Sequence, residues 1–239
     1  LSSPVDLRPK FIHYKPHVTL ISGVAWDHIN VFPTFGEYVE QFKILTEITA
    51  DNGHLVYYSN DETLQQLTSS VKRSLVLHPY AEHPHTIINR STFLLAGNRE
   101  IPIKIFGKHN LQNINGAKEI CTILGLSDED FYKAISSFPG TSKRLQEICN
   151  EKDFCCFLDF AHAPSKVRAT LQAVKEQYPD RHLTAVLELH TFSSLNREFI
   201  PQYRGSLDLA DEAVVYFDKH VLEHKKMENL SEQFVEDCF

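Results

Sequence analysis

Short apolar runs of strand composition alternate with segments of helical periodicity through much of this 239-residue chain. The run at 17–25, HVTLISGVA, is rich in β-branched residues, and apolar positions recur at helical spacing over 35–49. The alternation returns with a strand at 154–160, a helix at 165–178 and a strand at 183–189. Such a pattern predicts an α/β fold with a mostly parallel sheet that helices cover on both faces.

The remaining segments extend the pattern. Further strands are predicted at 54–59, 74–79, 85–90, 91–97, 100–106 and 213–217, and further helices at 62–71, 109–125, 128–138 and near 196–203. AGNRE reads as a hairpin turn, since Gly and Asn accept positive φ. The loop LHPYAEHPH contains three histidines, but its prolines and irregular spacing favour a surface loop over a metal site.

Charge and composition exclude some classes of partner. A net charge of −7 argues against a nucleic-acid binder that depends on neutralising phosphates. No apolar run approaches the roughly 18 residues of a membrane span, so no membrane partner is expected. The five cysteines have no zinc-type spacing, which favours a reduced, cytoplasmic compartment.

The chain is long enough for two domains, and Pro139 and Gly140 mark the expected hinge between them. The first residue is Leu1 and the only methionine is Met227, so we expect a fragment or a processed chain.

Three predicted strands end in an acidic residue and a histidine. These pairs are Asp27 with His28, Asp159 with His162, and Glu188 with His190. Ligands of parallel α/β sheets bind outside the carboxyl ends of the strands. Turn formation or solvated strand ends would explain each pair singly, and the spacing leaves metal binding and general acid–base chemistry equally open.

Four ordered elements resemble one known family. FGKHNLQNINGA (106–117) resembles a helix start of the Mur ligases, the ATP-dependent amide ligases of peptidoglycan synthesis. WDHINVF, FPGTSKRLQ and DFAHAPSKV are similar to three further elements of that family, in the family's order. The resemblance implies a partial central, P-loop-type ATP-binding domain at 1–138, a hinge at 139–150, and a partial Rossmann-like C-terminal ligase domain at 151–239.

The resemblance also implies a reaction. ATP, with Mg²⁺, would activate the carboxylate of UDP-N-acetylmuramate, and a peptide or amino-acid amine would attack the acyl phosphate. Two stretches, KFIHYKPHVTLISGVAWDHINVFPTFGEYVEQF and YRGSLDLADEAVVYFD, indicate the tripeptide L-alanyl-γ-D-glutamyl-meso-diaminopimelate as the incoming amine. L-alanine is the nearest alternative. Because G-x-x-G-K-[ST] is absent from the sequence, the chain alone is expected to be inactive.

In the first predicted domain, the resemblance assigns His28 as a catalytic residue and magnesium ligand, although Mg²⁺ prefers oxygen ligands. It places His109, Asn110 and Asn113 on adenine, since an amide both donates and accepts hydrogen bonds. The alternative for the two asparagines is capping or solvation of the helix start.

Beyond the hinge, the resemblance places Arg144 on ATP as the domains close and Asp159 on the ribose hydroxyls. His162 and His190 would line the cleft where the amine arrives, with Arg144 and His190 counted as catalytic. A surface salt bridge is the alternative for Arg144. Two other hypotheses stay open: a metal-dependent hydrolase built from the strand-end pairs, and a binding module without catalysis.

Overall fold

The computed structural model describes residue 6 and residues 8–239, which form two compact units. The first comprises the described residues up to Pro84 together with His109–Ile135, and the second comprises His85–Lys108 and Ser136–Phe239. The units are interleaved along the chain, whereas the predicted domains at 1–138 and 151–239 are consecutive. The segment His85–Lys108 belongs to the second unit, although it falls within the predicted first domain. The predicted domain boundaries at 138 and 151 stay a prediction.

The first unit is a parallel sheet with helices. Its elements are β1 (Val18–Ile21), α1 (Phe35–Ile48), β2 (His54–Tyr58), α2 (Glu62–Ser69), β3 (Val76–Tyr80), α3 (Lys108–Ile123) and α4 (Asp128–Ser137), preceded by a 3₁₀ turn at Lys10–His13. The strands pair in the order β1-β2-β3, all parallel. The strands and helices predicted from the sequence between 17 and 80 are therefore confirmed to within a few residues.

Helix α1 begins where its sequence provides a capping box. The Thr34 hydroxyl accepts from the Glu37 backbone N–H at 3.2 Å, and the Glu37 carboxylate accepts from the Thr34 N–H at 3.0 Å. Together they satisfy two backbone donors that the first helical turn leaves without intrahelical partners. The buried side of the helix contributes Tyr38 and Phe42 to a core that includes Leu55 of β2 and Leu64 of α2.

Helix α3 lies unusually close to the sheet at Gly116. A Cβ atom at this position would meet Cζ of Tyr80 at 2.9 Å and Cδ1 of Leu20 at 3.1 Å. The first distance is shorter than Cβ atoms ordinarily show, so only glycine allows this approach without a shift.

The second unit contains three small sheets. Its elements are β4 (His85–Ile88), β5 (Ser91–Ala96), β6 (Arg99–Ile103), β7 (Gln146–Asn150), β8 (Cys155–Leu158), α5 (Pro164–Gln177), β9 (Thr184–Leu189), β10 (Glu212–Phe217), α6 (Lys219–His224) and α7 (Glu232–Glu236), with a 3₁₀ turn at Ile200–Tyr203. The sets β4-β5-β6 and β7-β8 are antiparallel, and β9-β10 is parallel. Helix α5 begins at Pro164, a residue that suits the first turn of a helix.

A buried amide attaches the antiparallel β4-β5-β6 sheet to α5. Gln177, at the end of α5, accepts from the Thr92 hydroxyl at 3.0 Å and donates to the Arg90 carbonyl at 2.7 Å. Next to it, the rings of Phe106, Phe157 and Tyr178 pack on one another with centroids 5.3–6.2 Å apart. These contacts explain why His85–Lys108 groups with the second unit.

The prediction of a mostly parallel sheet covered on both faces is wrong in detail. Antiparallel strands are as prominent as parallel ones, and the second half of the predicted hinge forms β7, paired with β8. On the β9-β10 pair, Val186 and Tyr216 project from the same face and are exposed, so the described residues leave that face uncovered.

Two local predictions are also corrected. The segment near 196–203 forms only a one-turn 3₁₀ helix at Ile200–Tyr203, with Pro201 in its first turn. The histidine-rich loop is not a surface loop at His83, which is 3% exposed. Nδ1 of His83 donates to the Pro84 carbonyl at 2.9 Å, and Nε2 of His83 lies 2.9 Å from the Tyr132 hydroxyl.

Candidate functional site

The loop that follows β1 carries the first predicted pair. Asp27 is buried at 6% exposure and accepts the His28 backbone N–H at 2.7 Å, while the His28 side chain is exposed. His28 has a φ of +58°, a backbone conformation that is uncommon for residues other than glycine. Burial, with the nearby Asp27 carboxylate, raises the pKa of Tyr38 to about 12. The buried acid thus positions the backbone at an exposed imidazole.

The start of α3 carries the three residues predicted to contact adenine. His109 and Asn110 are half-buried, and Asn113 is exposed one turn further along the helix. Two neighbouring amides, absent from the predicted site, hold this part of the helix. Gln112 donates to the Ser22 carbonyl after β1, and Asn115 donates to the Ala81 carbonyl after β3 at 2.9 Å.

A further polar group lies at the carboxyl ends of β2 and β3. The Tyr58 hydroxyl donates to Glu82, whose other oxygen lies 3.4 Å from the Asn60 amide nitrogen. Burial, with the hydrogen bond to Glu82, raises the pKa of Tyr58 to about 12. Sequence reasoning missed this group, although Tyr58 ends β2 and Glu82 lies two residues after β3, the kind of position that singled out the three acid–histidine pairs.

In the second unit, Asp159 accepts two backbone hydrogen bonds. Its Oδ2 accepts the Leu145 N–H at 2.7 Å and its Oδ1 accepts the Ala161 N–H at 2.6 Å. Leu145 is a non-glycine residue at a φ of +43°, so the carboxylate holds an unfavourable backbone conformation in place. Asp159 therefore joins the segment after Arg144 to the exit of β8.

The exits of β8 and β9 meet around the Phe160 ring. Its centroid lies 5.0 Å from the His162 ring and 5.7 Å from the His190 ring, and the two imidazoles are 6.3 Å apart. The Arg144 guanidinium carbon lies 5.8 Å from the same centroid. Phe160 is 43% exposed, so this group is open to solvent. The structure thus brings together His162 and His190, which the resemblance placed in one cleft, and adds Arg144 to them.

The two histidines share a local geometry. Each Nδ1 faces the backbone carbonyl two residues earlier: Phe160 at 3.0 Å for His162 and Glu188 at 3.3 Å for His190. Because a carbonyl can only accept, Nδ1 carries the hydrogen in these contacts. The carbonyl of His162 in turn accepts from the hydroxyl of Tyr203, a fully buried residue.

Two family models match the chain in sequence order. The Mur ligase middle domain matches residues 5–121, and the Mur ligase glutamate ligase domain matches residues 143–238. The chain belongs to the Mur ligase family. Its α/β fold is that of the Mur ligase middle and C-terminal domains, as the resemblance of the four sequence elements predicted.

Named relatives support the assignment. The UDP-N-acetylmuramate–L-alanine ligase of Desulfitobacterium hafniense is 25% identical over 90% of this Mur ligase chain and 50% of its own length. Among solved structures, the UDP-N-acetylmuramate–alanine ligase of Thermotoga maritima has a TM-score of 0.65 at 19% identity, covering 92% of this chain and 51% of that one. A murein peptide ligase of Psychrobacter arcticus has a TM-score of 0.62 at 19% identity, covering 99% and 50%.

The Mur ligase chain thus spans about half the length of the relatives that it matches. Among the helices that the structure describes, none is long and apolar enough to cross a membrane. Nor do the described side chains include a group of three or more His, Cys, Asp or Glu residues placed to hold a metal ion.

Proposed function

We propose that this Mur ligase chain is part of an enzyme of peptidoglycan recycling that joins UDP-N-acetylmuramate to L-alanyl-γ-D-glutamyl-meso-diaminopimelate, using ATP. The ordered match to the family's middle and C-terminal domains carries the proposal. The group of Arg144, His162 and His190 around Phe160 supports it, because cationic and imidazole side chains at strand exits suit an anionic ligand.

The proposed chemistry is activation of a carboxylate. An oxygen of the lactyl carboxylate attacks the γ-phosphorus of ATP, giving an acyl phosphate and ADP. The amine then attacks the acyl carbon, and the tetrahedral intermediate expels phosphate to leave an amide. Because an anion attacks a polyanion, fixed positive charge is the main catalytic requirement.

We assign this role in the second unit to Arg144, which remains charged at any ordinary pH. The exposed Phe160 ring beneath its guanidinium restrains the side chain at the strand exit. Asp159 would accept from the ribose hydroxyls: a carboxylate has about four acceptor sites, and two backbone N–H groups use two of them. His162 and His190 would receive the incoming amine.

In the first unit, His109, Asn110 and Asn113 would contact adenine. Gln112 and Asn115 support this assignment, because they fix the start of α3 against the strand exits through two backbone carbonyls. Their role is one of positioning, since both amides are already engaged.

Magnesium enters the proposal as the ion carried by the ATP phosphates. His28 would be a ligand by family resemblance, yet imidazole is not a donor that Mg²⁺ prefers. The described residues provide no group of three ligating side chains around a common point. These residues do not form a magnesium site by themselves, and no chemical step is assigned to a metal that they would hold.

Addition of L-alanine to UDP-N-acetylmuramate is the second candidate. It is favoured by the name of the Desulfitobacterium hafniense relative, which is an L-alanine ligase. The murein peptide ligase of Psychrobacter arcticus, in contrast, favours the peptide. The metal-dependent hydrolase gains no support from the described side chains.

The test is thermal unfolding of the chain with ATP and Mg²⁺, followed by each amine in turn. Saturation at about 100 times Kd stabilises by about 2.7 kcal/mol, which is measurable. We expect ATP to raise the unfolding midpoint of the parent and of Arg168→Ala, an exposed arginine control on α5, but much less that of Arg144→Ala. Further stabilisation by the tripeptide, and not by L-alanine, supports the first candidate.

The reverse preference supports the second candidate. No response of the parent to ATP at millimolar concentration, or stoichiometric zinc or manganese in the purified protein, would contradict both.

A further inference from the structure

Two cysteines stand directly opposite each other on the antiparallel pair β7–β8. Cys149 is in register with Cys156, and Asn150 with Cys155. Directly opposed residues of an antiparallel pair project from the same face, with Cα atoms about 4.5–5.5 Å apart. Disulfides form at Cα separations of about 4.4–6.8 Å. The register therefore places the thiols of Cys149 and Cys156 within bonding reach.

The cysteines of the hairpin differ in their exposure to solvent. Cys156 is exposed and Cys149 is half-buried, and both are free thiols. Cys155 points to the opposite face, where it packs against the core cluster of Phe106 and Tyr178. An oxidant in solution thus reaches Cys156 first, while the adjacent Cys155 is turned inward.

We propose that Cys149 and Cys156 are a site of reversible oxidation, forming a cross-strand disulfide with a small-molecule disulfide as oxidant. The Cys156 thiolate attacks one sulfur of that molecule, giving a mixed disulfide and releasing one thiol. The Cys149 thiolate then attacks the Cys156 sulfur and releases the second thiol. Two electrons pass from the protein thiols to the oxidant, and their two protons end on the two released thiols.

The local geometry makes this bond easy to reduce. The backbone N–H of Glu151 donates to the Phe154 carbonyl at 2.8 Å. Because hydrogen-bonded and non-hydrogen-bonded pairs alternate along an antiparallel ladder, Cys149–Cys156 is a hydrogen-bonded pair. Opposed Cβ atoms lie about 4.5–5.5 Å apart, whereas a relaxed disulfide needs about 3.5–4.5 Å. The register also shifts between Glu147 and Cys149. Closure must strain the hairpin, and strained disulfides are reduced readily.

The bond would join two strands that lead to the candidate site. Arg144 lies shortly before β7, and Asp159 directly follows β8. The cross-link near the hairpin turn would restrict the relative movement of these strands. The inference rests on the register and exposure of the cysteines and is independent of the proposed ligase function.

The test is incubation of the full chain with glutathione disulfide, followed by alkylation and peptide mass spectrometry. Free thiols should fall from five to three, because the bond consumes two, with Cys149 and Cys156 in one cross-linked peptide pair. Millimolar reduced glutathione should restore all five. In Cys149→Ser, the second attack is impossible, so a stable glutathione adduct should accumulate on Cys156.

Cys155→Ser is the matched control and should still lose two thiols. Far-ultraviolet circular dichroism checks that each variant is folded. Five thiols remaining in the parent, a lasting glutathione adduct on its Cys156, or a different cysteine pair in the cross-link would each overturn the proposal.

Discussion

Asp159 has a structural task in addition to the ligand contact predicted for it. The family resemblance assigns it to a ribose, whereas the structure shows its oxygens accepting the backbone N–H groups of Leu145 and Ala161. The first of these bonds holds a leucine at positive φ directly after Arg144. The carboxylate therefore fixes the backbone position from which the Arg144 side chain extends.

Asp159→Asn tests this positioning role. An amide group offers one oxygen and one NH₂, so one of the two backbone donors would face another donor. Leaving a buried donor unsatisfied costs about 1–3 kcal/mol, and we expect the second unit to lose stability in that range. Urea unfolding followed by circular dichroism measures it, with Asp153→Asn as an exposed control. Equal unfolding midpoints for the two variants would show that the bonds contribute little.

Single histidines show how far residue type alone can mislead. His83 lies in a proline-rich loop and reads as a surface residue, yet it is buried against Tyr132, which follows 49 positions later. His162 and His190 were predicted to line one cleft, but the aromatic neighbour that they share, Phe160, was not predicted. Both contacts are between residues distant in sequence, and no local pattern encodes them.

Among the elements, those with strong local signals were predicted well. The capping box at Thr34, the proline at the start of α5 and the glycine of the β5–β6 turn each fix a boundary by local chemistry. Strand pairing was predicted less well, because β7 sits in a segment read as a hinge and finds its partner only across the turn. Helices α6 and α7, of six and five residues, are too short to show periodicity.

A charged contact with a testable pH dependence joins helix α5 to Asp211, the residue before β10. The Lys175 ammonium lies 2.5 Å from Asp211 Oδ2, which also accepts the Leu183 N–H at 2.7 Å. The hydrogen bond from Lys175, with that from Leu183, lowers the pKa of Asp211 from its ordinary value of 3.8. A lowered folded-state pKa gives stability that is present above 3.8 and is lost as the pH falls through the folded value.

We therefore expect Asp211→Asn to flatten part of the acid side of the stability curve. The parent should lose more stability than the variant as the pH falls from about 5 to about 2, and the two curves should converge at the acid end. Thermal midpoints of the second unit at stepped pH give the comparison, with Asp180→Asn as an exposed control. Parallel curves for parent and Asp211→Asn would contradict the assigned role.

At the scale of the whole molecule, two compact units each carry polar residues at the carboxyl ends of parallel strands. The family's domain order was predicted from four short motifs, each in a segment where backbone geometry is demanding. Three follow strands or start helices, and the fourth, FPGTSKRLQ, lies between α4 and β7 with Lys143 and Leu145 at positive φ. The interleaving of the units was not readable, since it depends on Gln177 reaching Thr92 and Arg90 across more than 80 positions.

The proposed activity leads to a prediction for the chain as a whole. The sequence contains no G-x-x-G-K-[ST] loop to cradle the ATP phosphates, so we expect no amide formation by the 239-residue chain. The assay is release of phosphate and appearance of the amide with UDP-N-acetylmuramate, ATP, Mg²⁺ and either amine. Measurable turnover would show that the phosphates are held by residues other than such a loop.

The absence of a side chain at Gly116 sets the distance between α3 and the sheet at the point of closest approach. A methyl group at this position would collide with Tyr80 and Leu20 and tilt the helix away from the strands. Asn110 lies six positions nearer the start of the helix, about 9 Å along the axis, so a tilt at Gly116 would displace it and strain the bonds that Gln112 and Asn115 make to the loops after β1 and β3. A substitution at Gly116 would therefore weaken ATP binding although it lies away from the residues proposed to contact adenine.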